Sequence, residues 1–277
     1  MHEINLDGVK IGGGRPFALI AGPCVIESEK HCRDMAASLR DVCRDLGIPF
    51  IFKASYDKAN RSAITSFRGP GAREGKRILS RIRRELKIPV TSDIHSIEEV
   101  NLFKDTLDLI QIPAFLCRQT DIIVAAAKTE RPVNVKKGQF LAPWDVRNIV
   151  DKLVSAGNRS LMITERGSVF GYNNLVVDFK GLPFIRRFGY PICFDATHSV
   201  QLPGGAGTSS GGQKEFVGHL VRAGVAVGID ALFIEVHNRP EAALSDGPNM
   251  LNLDELIPVL KNAKILDETV KSNGMID

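Results

Sequence analysis

Met35-Ala-Ala-Ser-Leu-Arg-Asp-Val-Cys-Arg-Asp-Leu-Gly-Ile-Pro-Phe-Ile-Phe-Lys53 contains a helix, its stop and the strand that follows. Met35, Leu39, Val42, Cys43 and Leu46 recur at the spacing of one helix face, and Gly47 supplies the residue on which such a helix ends. Pro49 then sets up extended chain over residues 50–53. The same stop and start returns at Ile88-Pro89, Arg131-Pro132 and Tyr190-Pro191.

Working outward, the alternation of short β-branched runs with longer amphipathic segments can be followed along the whole chain. The strand-like runs are 17–21, 50–53, 90–93, 109–112, 133–136, 161–164, 192–195 and 232–236, and most are nearly all apolar, as parallel strands buried on both faces should be. Strands alternating with helices leave a doubly wound open sheet or a closed barrel. Eight units in about 250 residues favour the α/β class with a (β/α)8 TIM barrel. The absence of a glycine-rich dinucleotide fingerprint after the first run weakens the open-sheet alternative. Ile4, Leu6, Val9 and Ile11 alternate about Asp7-Gly8, which predicts a β-hairpin over residues 1–14 capping the barrel. The glycine-rich stretch 203–212 falls inside a strand–helix unit, so it is expected to be a mobile loop and the chain, 1–277, a single catalytic domain.

Composition agrees with a soluble globular chain: 44% hydrophobic, 25% charged, net charge +4. The densest basic run, 73–87, interleaves Arg73, Lys76, Arg77, Arg81, Arg83, Arg84 and Lys87 with Ile78, Leu79, Ile82 and Leu86, which is the solvated face of an amphipathic helix rather than a nucleic-acid or membrane patch. No charged leader and no run of about 18 apolar residues is present, so a soluble, unexported, cytoplasmic protein is expected. Five cysteines without a CxxC pair fit a reducing compartment.

In such a barrel the chemistry lies at the carboxyl ends of the strands. Those ends carry Cys24; Lys53, Lys58, Asn60, Arg61 and Ser62; Asp93 and His95; Gln111 and Arg118; Asn134 and Lys136; Arg166; Asp195 and His198; Glu235 and His237. Lys53, Lys58, Arg61, Arg118, Lys136 and Arg166 would converge on one mouth, where uncompensated cations are costly to bury. Two anionic ligands carrying phosphate or carboxylate fit that set. Cys24, His198, Glu235 and Asp246 would be neighbours in a closed barrel and could hold Fe(II), Zn(II), Mn(II) or Co(II). On the residues alone, Cys24 is equally at home as a small buried hydrophobe and His198 as a satisfied turn residue.

Ala21-Gly-Pro-Cys-Val-Ile-Glu-Ser28, Phe52-Lys-Ala-Ser-Tyr-Asp-Lys-Ala-Asn-Arg-Ser62, Ser66-Phe-Arg-Gly-Pro-Gly71, Gln111-Ile-Pro-Ala-Phe-Leu-Cys-Arg-Gln-Thr-Asp121, Asn134-Val-Lys-Lys137, Phe194-Asp-Ala-Thr-His198 and Ser245-Asp-Gly-Pro248, in this order, resemble the 3-deoxy-D-manno-octulosonate-8-phosphate (KDO-8-phosphate) synthase family. The resemblance runs from about Phe17 to about Leu260. It implies a homotetrameric barrel that joins phosphoenolpyruvate, D-arabinose 5-phosphate and water into KDO 8-phosphate and phosphate, on the way to lipopolysaccharide. The related DAHP synthases, which use erythrose 4-phosphate, are the competing reading. The stretch Lys58-Ala-Asn-Arg-Ser62 is similar to the first group, whose relatives in the second carry a KPR[ST] pattern there. A non-catalytic sugar-phosphate-binding barrel is a third reading.

Residue by residue, the resemblance implies a phosphoenolpyruvate subsite of Lys53, Gln111, Lys136 and Arg166 with the backbone of Ala114 and Phe115. It implies an aldose subsite of Lys58, Asn60, Arg61, Ser62 and Asp93, with Arg118 reaching the sugar phosphate of a neighbouring subunit. Lys136, Lys53, Asp93 and His198 are the catalytic candidates. Cys24 resembles the metal-dependent branch, in which the residues matching Cys24, His198, Glu235 and Asp246 bind a divalent metal; the other branch has asparagine in place of the cysteine. No organic cofactor is implied. The loop 203–212 is expected to close over bound substrates.

Overall fold

A computed structural model describes residues 2–61, 63–204 and 211–274. The chain opens with β1 (Glu3–Leu6) and β2 (Val9–Gly12), an antiparallel hairpin. There follow β3 (Ala18–Gly22), α1 (Glu29–Leu46), β4 (Phe50–Lys53), α2 (Ala72–Leu86), β5 (Val90–Asp93), α3 (Ile97–Phe103) and β6 (Leu109–Ile112). Next come α4 (Thr120–Ala127), β7 (Val133–Lys136), α5 (Val146–Ser155), β8 (Leu161–Glu165), the two-residue β9 (Ser168–Val169) and β10 (Leu175–Val176), and α6 (Gly181–Arg186). The rest is β11 (Ile192–Asp195), β12 (Gln201–Leu202), β13 (Gly211–Gly212), α7 (Val217–Val227), β14 (Ala231–Glu235) and α8 (Leu253–Ser272).

β3, β4, β5, β6, β7, β8, β11 and β14 pair in parallel in that order, and β14 returns to β3, so the barrel is closed. All residues of these eight strands are buried, which is why most of them read as largely apolar runs; Thr91 and Ser92 of β5 and Asn134 of β7 are buried polar exceptions. The expected run 161–164 stops one residue short of the observed strand, while 17–21 lies one residue early and 232–236 one residue late, because pairing with neighbours, not hydrophobicity, bounds a strand. The stretch that announced the fold behaves as its sequence dictates. Ser28 Oγ accepts from His31 N at 3.2 Å to start α1, and Gly47, at φ 66°, ends it with its N–H turned back to Arg44 and Cys43 carbonyls.

The hairpin plugs the amino-terminal end of the barrel: Ile4, Leu6 and Ile11 pack with Ala18, Ile20, Ile51, Leu109, Met162, Cys193, Ala231 and Phe233 in one apolar cluster. Burying each large aliphatic side chain there is worth about 1.5 to 3 kcal/mol. A second, larger cluster lies between the barrel and the helices. The basic face of α2 is the solvated side of an amphipathic helix, with Ile78, Leu79 and Ile82 buried. Its cations are tied to acids: Arg77 and Arg81 to Glu29 of α1, and Arg83 to Asp108. With one end apolar and plugged, the charged side chains of the barrel strands stand at their carboxyl ends.

Candidate active site

Seven strand ends put a charged or amide side chain there. Lys53 ends β4, Asp93 ends β5, Gln111 lies one residue from the end of β6, Lys136 ends β7, Arg166 follows β8, Asp195 ends β11 and Glu235 ends β14. All are buried. Five of them, Lys53, Asp93, Gln111, Lys136 and Arg166, line a cavity of about 430 Å³ whose wall also includes Lys58, Asn60, Arg61, Ala114, Phe115 and His198; Asp195 and Glu235 lie behind that wall, paired with Lys136 and Lys53.

One flank of this cavity is built on Lys136 and Arg166. Lys136 Nζ is paired with Asp195 and lies 3.4 Å from the centre of the Phe233 ring, and its burial lowers its pKa despite that carboxylate. Arg166 donates through Nη2 to Gln201 at 3.1 Å, while its buried Nη1 has no partner among the described residues. Gln111 Oε1 is likewise buried and unpartnered there. Buried polar atoms left open in this way cost free energy unless a ligand meets them. The opposite flank holds Asn60, Lys58 and Arg61. Burial opposes the charge of Lys58, yet Cys24, Glu235, Asp93 and Asp246 together hold its pKa well above the ordinary lysine value.

Between the flanks runs a chain of charges. Lys53 Nζ donates to Ser55 Oγ at 2.9 Å, to the Cys24 carbonyl at 3.2 Å and to Glu235 Oε1 at 3.1 Å. Burial opposes ionisation of Glu235, but Lys53 and His198 bring its pKa down to about 2. Asp93 accepts from Ser55 Oγ at 2.5 Å and pairs with His95 at 3.1 Å.

The sulfur and carboxylates cluster beside this chain. One donor atom each of Cys24, Glu235 and Asp246 lie within 4.8 Å of one another. His198 Nε2 stands 3.9 Å from Glu235 Oε1, outside that tight group, with Nδ1 held by Asp195 at 2.8 Å. The set fits a divalent transition metal. Glu235 Oε2 is buried with no partner among the described residues, and the ring contact to Asp195 leaves His198 Nε2 as the nitrogen that could face a metal. Burial, with Glu235 next, pushes the Cys24 thiol well up, and a bound cation reverses that penalty. Gly22 makes the approach possible: a Cβ there would lie 1.9 Å from the Lys53 carbonyl, so only glycine lets β3 pass β4 just before Cys24.

One expectation changes. Arg118 does not line the cavity with the other five cations; the short 3-10 turn Ala114–Leu116 carries it outward to an exposed position, its carbonyl accepting from Lys152 at 2.8 Å. Ser62 and most of the loop 203–212 lie outside the described residues. The sequence reading also passed over Gln139 and Gln201, which line the cavity, and Ser245, which touches both Cys24 and Arg61. Ser245 and Gln201 carried a signal, their places in Ser245-Asp-Gly-Pro248 and in Ser199-Val-Gln-Leu-Pro-Gly-Gly205, a stretch that also resembles the metal-dependent branch.

A second group, Glu27, His31 and His237, is also close-set. Here the backbone N–H of Arg239 donates to His237 Nδ1 at 3.0 Å, so Nε2 carries the ring hydrogen and faces Glu27 Oε1 at 3.3 Å. Glu27 Oε1 also accepts from Leu244 N at 2.9 Å. This group clamps the loop that carries Ser245 and Asp246.

A model of the DAHP synthetase I family matches residues 1–272. The chain belongs to this family. Within it, curated relatives from Geobacter sp. (strain M21) and Trichlorobacter lovleyi are 60% identical over 269 residues, 97% of this chain and 98% and 99% of theirs. One from Geobacter sulfurreducens is 59% identical over 98% of this chain and 99% of its own. All three are named 2-dehydro-3-deoxyphosphooctonate aldolase. Among the described residues no helix is long and apolar enough to cross a membrane.

Proposed function

We propose that this chain condenses phosphoenolpyruvate with D-arabinose 5-phosphate and water, releasing phosphate and forming 3-deoxy-D-manno-octulosonate 8-phosphate for lipopolysaccharide synthesis, as one cytoplasmic catalytic domain. The observation that carries it is the two-flanked cationic cavity, with Lys136 and Arg166 on one side and Lys58 and Arg61 on the other, sized for two anions. The eight-carbon acid in the relatives' name supports a five-carbon aldose partner for the three carbons of phosphoenolpyruvate.

Lys53, Gln111, Lys136 and Arg166, with the backbone of Ala114 and Phe115, hold phosphoenolpyruvate; Lys58, Asn60, Arg61, Ser62 and Asp93 hold the aldose. C3 of phosphoenolpyruvate attacks the aldehyde carbon and water adds to C2. The aldehyde oxygen takes up a proton, the water gives one up, and the C2–O bond to phosphate then breaks. Lys136, its pKa lowered by burial and its Nζ bound to Asp195, holds the proton that moves, while Lys53 and Arg166 stabilise the charge on carboxylate and phosphate. Cys24, His198, Glu235 and Asp246 would hold Fe(II), Zn(II), Mn(II) or Co(II), which supplies Lewis acidity at the reacting oxygen.

Arg118 serves a neighbouring subunit of a homotetramer. Its outward position supports this, as do the exposed apolar side chains of Phe115, Phe140 and Trp144 on the loops following β6 and β7. One assay tests the whole reading: phosphate release from phosphoenolpyruvate with arabinose 5-phosphate or erythrose 4-phosphate, each with and without EDTA. Turnover of the pentose phosphate that EDTA abolishes is expected. Preference for erythrose 4-phosphate transfers the chain to the other activity of its family, and turnover of neither sugar ends the enzyme reading.

A further inference from the structure

Ser245 lies at the junction of the two halves of the site. It is 3% exposed, and its Oγ stands 3.2 Å from Cys24 Sγ and 2.8 Å from Arg61 Nη1. Cys24 Sγ is also 3.2 Å from Asp246 Oδ2. Counting hydrogens orients these contacts. The guanidinium of Arg61 only donates, so it takes a lone pair of Ser245 Oγ. The carboxylate of Asp246 only accepts, so the one S–H of Cys24 goes to Asp246, and the sulfur is left to accept from the Ser245 hydroxyl. The result is a chain with a single direction: Arg61 N–H to Ser245 O–H to Cys24 S–H to Asp246 carboxylate. When the thiol is ionised the direction at Ser245 is unchanged, because a thiolate also only accepts.

We infer that Ser245 is a positioning residue that links the metal-ligand sulfur to the arginine of the aldose subsite, so that binding of a divalent metal and binding of the sugar phosphate strengthen one another. This rests on the function proposed above and goes beyond it. The Ser245 hydroxyl touches both groups at once, so a sulfur fixed by a cation fixes Oγ, and Oγ in turn holds the guanidinium where the phosphate meets it. Arg61 Nε, buried and without a partner among the described residues, is left for that phosphate. Linkage is reciprocal, so the aldose must tighten metal binding by the factor by which metal tightens aldose binding. The Glu27 carboxylate, through the Leu244 N–H at 2.9 Å, fixes the backbone one residue before Ser245 and keeps its hydroxyl between the two partners.

Cobalt(II) is the probe, because its thiolate-to-metal charge-transfer band reports on the sulfur without turnover. Cobalt affinity, measured by competition with a chelator, and the band are compared with and without arabinose 5-phosphate for the native chain, Ser245→Ala and Ser245→Thr. The native chain is expected to bind cobalt about 5-fold more tightly with the aldose present. Ser245→Ala should shift the band, weaken cobalt binding about 10-fold or more, and lose the aldose effect; Ser245→Thr, which keeps the hydroxyl, should restore all three. An alanine variant with the native band and native linkage overturns the inference. So does one that keeps the linkage despite an altered band, or a threonine variant that recovers nothing. Failure of the native chain to bind cobalt overturns the metal reading itself, a separate result.

Discussion

Cys24 is the residue on which the two branches of the resembled family divide, and its surroundings say what its substitution should do. With Glu235 and Asp246 it forms a close set of donor atoms. Cys24→Asn is expected to lose tight metal binding by atomic absorption after dialysis while retaining measurable phosphate release that EDTA no longer affects, since the amide supplies a neutral donor to Asp246 Oδ2, which the Cys24 sulfur now meets at 3.2 Å. Full metal content in that variant would remove Cys24 from the ligand set. His95 offers a test that needs no metal. It faces Asp93 at 3.1 Å, Glu99 at 3.3 Å and the Tyr56 hydroxyl at 3.5 Å. Burial opposes its charge, but the two carboxylates raise its pKa to about 9. A raised folded pKa contributes stability that is complete below the ordinary histidine value of 6.5 and is lost as pH rises through about 9. Glu99, brought down to about 2 against its own burial, adds stability present above 4.5 that disappears only in strong acid. His95→Gln should therefore cost about 1 to 3 kcal/mol in urea titrations near pH 6, and the gap should narrow towards pH 10. A gap independent of pH would mean that the ring stabilises by packing alone.

Elements explain how these residues are held and why part of the site could be foreseen. Lys137, wholly buried, donates from β7's end to the Leu141 carbonyl and Ser168 Oγ, each at 3.1 Å, and pairs with Glu165 at 3.5 Å. Glu165 in turn accepts from the backbone N–H groups of Arg166 and Gly167. This buried pair ties the loops that carry Gln139 and Arg166. Lys137→Met should cost about 3 to 5 kcal/mol in urea unfolding, because it strands the Glu165 carboxylate, and adding Glu165→Gln should recover part of that loss. The barrel strands were legible because both faces of each are buried, and the helices because glycine and proline punctuate them. The cations were legible because strand ends in a barrel converge. Gln139, Gln201 and Ser245 were not, since their places depend on loop closure: Asp246 sits at φ 51° under contacts from residues distant in sequence. The two-residue strands β9, β10, β12 and β13 leave no periodicity to read. Arg118 fails to line the cavity for a related reason: it lies exposed after the short turn Ala114–Leu116 that follows β6.

At the scale of the whole molecule, that outward turn makes assembly testable through chemistry. The cavity contains Lys136 from its own chain but not Arg118, which is exposed beyond the turn Ala114–Leu116. If each site borrows Arg118 from a neighbour, two impaired variants can repair one another. In Arg118→Ala every site keeps Lys136 but loses a charged contact to the sugar phosphate, so the KM for arabinose 5-phosphate should rise about 10- to 100-fold, the range for one hydrogen bond to a charged group. In Lys136→Met every site loses its proton carrier, and kcat should fall about 100-fold or more with the sugar KM little changed. When the two are mixed, dissociated and reassembled, some interfaces place an Arg118→Ala subunit, whose Lys136 is intact, beside a Lys136→Met subunit, whose Arg118 is intact. Such a site has both groups. Activity at low arabinose 5-phosphate should then exceed the sum of the separate variants, and it should appear only after dissociation and reassembly. A mixture that remains at the sum, with sedimentation showing mixed oligomers, would place Arg118 outside every active site.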